Sequence, residues 1–395
     1  MLPPLSLYIH IPWCVKKCPY CDFNSHNAPQ AIPQDDYVTA LLADLDQDLP
    51  LARGRPLHSI FFGGGTPSLF SPESIARILD GVASRLAFAP DIEITLETNP
   101  GTVEHGPFAG YRRAGVNRIS FGVQSFDDAA LKRIGRIHDA QQAQRAVKSA
   151  QDAGIENLNL DLMYALPQQT LEGALVDVEK AILLQTPHLS HYQLTLEPNT
   201  QFAANPPPLP DEDSAWDMQE ACQARLAVAG LAQYEVSAYA RVGRECRHNL
   251  NYWNFGDYLG IGAGAHGKAT YADGTLRRRW KLRAPRGYLE HAATHRRIGG
   301  DDPIAPEQLP FEFMLNALRL NAGFALDDFC SRTGLPAATI EAKLQSAYAR
   351  GWLERDGDRI RASEFGRRFL NDVIASFLPE RTGVRSSGVV SRNDG

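Results

Sequence analysis

Two hydrophobic patterns alternate along the first 200 residues. Short runs rich in β-branched and aromatic side chains occur at 5–11 (LSLYIHI), 58–62 (HSIFF), 92–97 (IEITLE), 117–123 (NRISFGV), 157–165 (NLNLDLMYA) and 189–197 (LSHYQLTLE). Each predicts a buried strand. Between them apolar positions recur at three- and four-residue steps, as with Tyr37, Leu41, Leu42, Leu45 and Leu49 over 35–49. Over 71–86, Ser71 supplies an N-cap and Pro72 suits the first helical position, with Ile75, Ile78, Leu79, Val82 and Leu86 as the apolar stripe. Further helices are expected near 139–153, 171–184 and 212–229. Six strand-then-helix units predict an α/β fold with a parallel sheet flanked by helices.

An open doubly wound sheet and a (β/α) barrel both satisfy that count. The unusual residues favour the barrel. Tyr8 and a group of cysteines fall at or after the end of strand one, GGGTPS (63–68) follows strand two, Glu97 ends strand three, Gln124 follows strand four, Asp161 is late in strand five and Glu197 ends strand six. Polar residues at successive strand ends converge on one barrel mouth. The expected fold is a partial (β/α)6 TIM-like barrel over residues 1–233. A Pro-rich connector, 198–214, precedes its last helix. Residues 234–300 read as an irregular connecting region. From 301 to 380 three helices (307–320, 326–333, 337–350), a hairpin turning at Asp356–Gly357 and a last helix at 363–378 predict a helical, winged-helix-like domain. The tail 381–395 reads as disordered.

Composition narrows the class. With 40 basic and 46 acidic residues the net charge of −6 argues against duplex nucleic acid or an anionic membrane as the main partner. At 44% hydrophobic and 22% charged, the chain is ordinary globular protein. The N-terminus lacks the basic and apolar regions of a signal peptide, and no apolar run is long enough to span a membrane. A cytoplasmic protein without stable membrane insertion is expected. Six cysteines are too sparse for a disulfide scaffold, yet Cys14, Cys18 and Cys21 fall within eight positions.

The spacing of those three is C-x3-C-x2-C, and Phe23 occupies the next position where a ligand would fall. Three thiolates on one loop suit a [4Fe–4S] cluster with one iron left open. A zinc knuckle completed by His10 or His26, or three buried cysteines without a ligand, remain alternatives on spacing alone.

The run YIHIPWCVKKCPYCDF (8–23), with an aromatic before the third cysteine, resembles the cluster loop of the radical S-adenosylmethionine (SAM) superfamily. GGGTPS resembles that family's glycine-rich motif, and glycines let a ligand lie against the main chain. ETNP (97–100), RISFGVQSF (118–126), GRIH (135–138), LDLMYALP (160–167) and HLSHYQLTLEPNT (188–200) are similar to one subfamily, the oxygen-independent coproporphyrinogen III oxidases and their heme-chaperone relatives. The resemblance implies that Cys14, Cys18 and Cys21 hold a [4Fe–4S] cluster. It also implies that Tyr8, Tyr20, Gly64, Gly65, Thr66, Glu97, Gln124, Arg136 and Asp161 contact SAM. Arg136 would pair with a carboxylate, and Glu97 and Asp161 would accept from ammonium or ribose hydroxyl groups.

Three features place the chain on the chaperone side of that subfamily. The oxidases carry a further cysteine where Phe23 stands, and a long arm ahead of strand one where only seven residues precede Tyr8. HNLNYW (248–253) resembles the HNxxYW signature of the heme-chaperone branch. By that match His248, Asn249, Tyr252 and Trp253 would meet heme, through an imidazole ligand and aromatic contact with the macrocycle. Cys246 is a second possible contact. FEFMLNALRLNAGF (311–324) also resembles the start of that branch's C-terminal domain. The implied partners are heme and an acceptor, such as a respiratory protein; the alternative is a decarboxylating oxidase.

Other signals carry less. G-x-G-x-x-G at 262–267 lacks the strand-then-helix context of a dinucleotide site and reads as a backbone-close wall near a ligand. RRRWKLRAPR (277–286) has six basic residues in ten and reads as a solvated face. Across 326–378 eight acidic residues balance eight basic ones, so the winged-helix-like unit points to protein contact or a structural cap, not DNA.

Overall fold

A computed structural model of the chain describes residues 2–105 and 108–379. Six parallel strands follow one another in the sheet in chain order: β1 (Leu5–Ile11), β2 (Leu57–Gly64), β3 (Phe88–Thr98), β4 (Arg118–Gln124), β5 (Asn157–Tyr164) and β6 (His188–Gln193). Helices fall where the periodicity puts them, at Gln34–Ala52, Pro72–Ala83, Ala140–Asp152, Leu171–Leu183 and Glu212–Val228. The Ser71 side chain accepts from the Ser74 amide and so satisfies one free N–H of its helix. The fold is α/β, with a core of six parallel strands flanked by helices and a separate C-terminal unit.

The strands differ on their two faces. Leu5, Leu7, Ile9, Ile60, Phe62, Ile94, Leu96, Ile119, Phe121, Leu158 and Leu160 are buried in the main hydrophobic core. The alternate positions are polar: Ser6 and His10, Glu93 and Thr95, Arg118 and Ser120, Asn159, and His188 are also buried. Period-two alternation therefore separates an apolar face, packed on helices, from a polar face that needs its own hydrogen-bond partners.

Residues 234–300 are more regular than the sequence suggests. The strand Asp257–Ile261 pairs parallel with β1, and three antiparallel strands (His266–Thr270, Leu276–Lys281, Ile298–Pro303) continue the same sheet, which reaches twelve strands with the short pair beyond β6. Gly and Arg mask these strands in a hydropathy reading, because cross-strand ion pairs add to a few buried apolar residues such as Leu259, Ile261 and Leu276. Strand six ends at Gln193, so Glu197 lies in the following loop, where it accepts from the Thr195 hydroxyl at 2.7 Å.

In the C-terminal unit, helices Leu309–Ala317, Leu326–Thr333 and Ala338–Ala349 pack with a three-stranded antiparallel sheet on a second core. The two-residue loop of its hairpin is Gly357–Asp358, one position later than predicted, because Asp356 still pairs with Arg359. The last helix is two, Glu364–Arg368 and Leu370–Ala375, interrupted at Phe369. The predicted tail, 381–395, lies outside the described residues.

The basic run is mostly structural. Lys281 Nζ lies 2.5 Å from both Asp44 and Asp48, and Arg297 reaches the same two carboxylates at 2.6 Å, all four side chains buried. This group ties the first helix to the added strands. Removing one partner of a buried ion pair leaves an uncompensated charge at a cost of about 3–5 kcal/mol. Lys281→Met is therefore expected to lower unfolding free energy by about that amount, measured by chemical denaturation.

Candidate functional site

The site begins where β1 ends. The chain leaves the sheet at Ile11, runs through the cysteine loop and returns against itself: the His26 amide donates to Pro12 O at 2.7 Å and the Ala28 amide to Cys14 O at 2.8 Å. Cys14, Cys18 and Cys21 are free thiols, each partly exposed. Opposite them the turn after β2 is pinned to the same strand end, Gly65 N donating to Ile11 O (2.7 Å) and Thr66 N to Trp13 O (2.8 Å). Glycine is required here by the protein itself. Gly64 has φ +111°, and a Cβ there would lie 2.4 Å from the His10 ring; one on Gly65 would lie 2.5 Å from Trp13 O.

A cavity of about 150 Å³ lies between loop and turn. The three cysteines line it together with Tyr20, Gly64, Gly65, Thr66, Glu97, Gln124, Arg136 and Asp161, so these sequence-derived candidates share one space. Among the described residues no three His, Cys, Asp or Glu side chains converge on a single ion position. Three thiols carried on one loop, with no fourth cysteine on it, suit a cluster with one open iron better than one zinc. His10 does not complete a zinc set: its Nε2 donates to Asn24 O at 2.8 Å and its Nδ1 is 3.0 Å from the Tyr8 hydroxyl. Burial pushes the Cys14 and Cys21 thiols above their usual range.

Arg136 donates to Cys18 Sγ at 3.5 Å and to the Gly122 carbonyl. Its Nε, like Thr98 Oγ1, is buried on this cavity without a partner. Gln124 holds φ +70°, a strained value for a side-chain-bearing residue, at an irregularity in the β4–β5 register. Its Oε1 accepts from the Tyr192 hydroxyl at 2.9 Å.

A second cavity, of about 560 Å³, adjoins the first, and Phe23, Gly64, Glu97, Ser120 and Asp161 belong to both. Tyr8, His248, Asn249 and Tyr252 line it, as do Gly264 and His266 of the glycine-rich segment. His248 is held on the helix Arg247–Trp253 with its ring against Phe61, centroids 5.0 Å apart. Nδ1 is 2.9 Å from Ser59 Oγ, and Nε2 is 2.8 Å from the Tyr252 hydroxyl. Because the Ser59 hydroxyl donates to Ser6, Nδ1 carries the proton and the Nε2 lone pair faces Tyr252. Burial, then Arg118, lowers the His248 pKa to about 3, so the ring is neutral.

Trp253 stands apart from that group. One residue beyond Tyr252 the helix has turned about 100°, and the indole lies beneath Arg319, 4.3 Å from the guanidinium carbon. Cys246 is buried beside Glu93, its Sγ 3.6 Å from the carboxylate and outside the cavity lining. The sequence reading passed over Arg118, Ser120, Asn159 and Ser190, which also line the larger cavity. Their signal was present: each occupies an alternate position of a strand whose intervening residues are apolar.

Comparison with known proteins defines the class. Residues 8–180 match the Radical SAM superfamily and 304–369 the HemN C-terminal domain. Coproporphyrinogen III oxidase (HemN) from Escherichia coli, a radical SAM enzyme, shares the fold with a TM-score of 0.78 at 23% identity, over 95% of this chain and 90% of that one. The heme chaperone HemW of Escherichia coli (strain K12) is 52% identical over 379 residues, 96% of this chain and 99% of the relative. The heme chaperone HemW of Haemophilus influenzae is 50% identical over 383 residues, again 96% and 99%. The chain belongs to the HemW family of radical SAM proteins. Membership implies a [4Fe–4S] cluster and SAM.

Glu97 sets a pH test. It opens only onto the cavities, and burial, then the neighbouring Asp161, pushes its carboxyl up to about 8; burial raises Asp161 as well. A folded state that keeps a proton the unfolded chain has lost becomes less stable as pH rises, by up to about 1.4 kcal/mol per unit. The buried histidines, whose pKa values are lowered, act in the opposite sense near pH 6.5, where the unfolded chain still binds part of their protons. The Glu97 contribution, read as ligand-free wild type minus Glu97→Gln so that the histidines cancel, is therefore expected to fall by about 2 kcal/mol between pH 6.5 and 8. Chemical denaturation of both proteins across that window measures the difference.

Proposed function

We propose that the protein is a heme chaperone on a radical SAM scaffold: it binds a [4Fe–4S] cluster, SAM and heme, and passes heme to an acceptor protein. The observation that carries this reading is the pair of joined cavities, one lined by thiols and the other by a buried neutral imidazole. Cys14, Cys18 and Cys21 would hold the cluster. Tyr8, Tyr20, Gly64, Gly65, Thr66, Glu97, Gln124, Arg136 and Asp161 would surround SAM. The unpartnered Thr98 Oγ1 and Arg136 Nε fit a polar ligand, and the raised carboxyl of Glu97 would give up its proton to face an ammonium or sulfonium charge. When bound, the cluster would supply an electron and an open iron.

His248, Asn249 and Tyr252 would meet heme. The imidazole is oriented as metal-binding histidines are, with Nδ1–H donated to a second group and the Nε2 lone pair inward. Tyr252 must swing its hydroxyl off Nε2 before an iron can take that place. Trp253 lies outside this cavity lining, its ring packed 6.5 Å from that of Tyr252. The division of the chain into 1–233, 234–300 and 301–380 is retained as a functional proposal. The first part would carry cluster and SAM, the second the heme residues, and the third would cap them or meet a partner protein. Delivery to an acceptor is supported by the relatives' name, heme chaperone.

Anaerobic reconstitution followed by heme titration and a SAM-cleavage assay on one sample tests the reading. Heme is expected to bind, and porphyrinogen decarboxylation is not; measurable decarboxylation would favour the oxidase alternative. His248→Ala is expected to weaken heme binding about tenfold or more, equivalent to about 1.4 kcal/mol, and to shift the Soret band. Tyr252→Phe removes the competing hydroxyl and is expected not to weaken it, and Trp253→Ala is expected to match wild type. An unchanged Soret band in His248→Ala would refute the ligand assignment.

A further inference from the structure

Arg118 begins β4 on the polar face of the sheet and belongs to the wall of the larger cavity. Its side chain is 2% exposed. Its guanidinium makes no hydrogen bond among the described residues, and Nε is buried without a partner. The nearest carboxylate oxygen, Glu93 Oε2, is 3.9 Å from Nε, beyond hydrogen-bonding distance. Glu93 is otherwise engaged, since its Oε1 accepts from the His248 amide at 3.2 Å and faces the Cys246 thiol at 3.6 Å.

A buried cation in this condition is costly. Native proteins pair such groups or hydrogen-bond them, and a guanidinium offers five donors in a planar fork. The other two arginines at these cavities are differently placed. Arg136 is committed to Gly122 O and Cys18. Arg283, at the opening, reaches only Asn24, at 3.5 Å, and is partly in solvent. The carboxyls nearby attract Arg118 without hydrogen-bonding to it. Asp161 accepts from Asn159 at 2.8 Å and Ser120 at 3.2 Å, and Glu97 accepts from Gly64 N at 3.3 Å.

We propose that Arg118 is the carboxylate-binding group of the larger cavity, its planar fork receiving an acid group of the bound ligand. Two ligands of the functional reading, on which this inference rests, carry such a group: heme through a propionate, and SAM through its methionine carboxylate. The bidentate geometry would orient the ligand as well as hold it.

The test uses anaerobically reconstituted full-length wild type, Arg118→Gln and Arg118→Lys. Each is titrated with heme, heme dimethyl ester, SAM and 5′-methylthioadenosine, which lacks the amino-acid arm. If a propionate is the partner, Arg118→Gln weakens heme about tenfold or more and leaves the diester unchanged, so the acid-over-ester preference disappears. If the methionine carboxylate is the partner, SAM weakens and 5′-methylthioadenosine does not. Arg118→Lys restores part of either preference, because it keeps the charge and loses the fork. Equal weakening of acid and ester, with no selective loss for SAM, overturns the proposal, as does no change in any titration. If wild type binds none of the four probes, the functional reading fails and this inference with it. Arg118→Gln also removes the positive charge facing buried Glu93 at 3.9 Å and is expected to lower the melting temperature; if it unfolds, the acid–ester comparison in Arg118→Lys decides.

Discussion

Everything at this site depends on the requirement that the polar face of a buried parallel sheet be satisfied. The six strands send apolar residues toward the helices, and that burial drives the fold. The other face then carries Glu93, Arg118, Asn159 and His188 into the interior, where each must find a partner. Low in the sheet they do so. His188 Nδ1 is 2.6 Å from Asn159 Oδ1 and its Nε2 is 2.9 Å from the Tyr234 hydroxyl, while Asn159 in turn donates to Ser120 and Asp161. Toward the cavities the network thins, and Arg118, Arg136 and Thr98 keep buried polar atoms unpaired.

Two close approaches position the rest. The glycine turn lies so near His10 and Trp13 that no side chain fits between them, and this fixes the thiol loop relative to the strand-end carboxylates. On the far side of β1, the Tyr37 hydroxyl donates to His10 O and receives the Ala263 amide, each at 2.8 Å. The residues of the glycine-rich segment are thereby joined to the same strand end. A single strand terminus thus serves both cavities, and Glu97 and Asp161 on the shared wall are exposed to whatever occupies either. The raised carboxyl of Glu97 follows from that position, since two acids in one low-dielectric space resist ionising together.

Much of this was legible in the residue order. Strand periods located all six parallel strands and helical periods five of the helices beside them, though not Phe108–Arg113; Ser71 and Pro72 marked a helix start, and the spacing of Cys14, Cys18 and Cys21 pointed to a cluster loop. The region after 234 misled because its strands are held by Arg–Asp pairs, as between Arg277 or Arg279 and Asp301, and hydropathy does not register such pairs. Trp253 differs for another reason, its indole lying under Arg319 and outside the cavity lining. A six-residue motif places its members together in sequence, but a helix turns successive side chains to different sides.

By itself, the sequence determined the properties that depend on short-range order: element type through hydrophobic period, the candidate ligand set through cysteine spacing, and family membership through motif order. Only the tertiary structure decided which of those residues meet. The Ser59–His248 contact and the Ser120–Asp161 contact on the shared carboxylate wall join residues 189 and 41 positions apart, and the buried guanidinium of Arg118 is set among groups from several strands. Such partners are selected by strand register and by the need to satisfy buried polar groups, and neither is a local property of the chain.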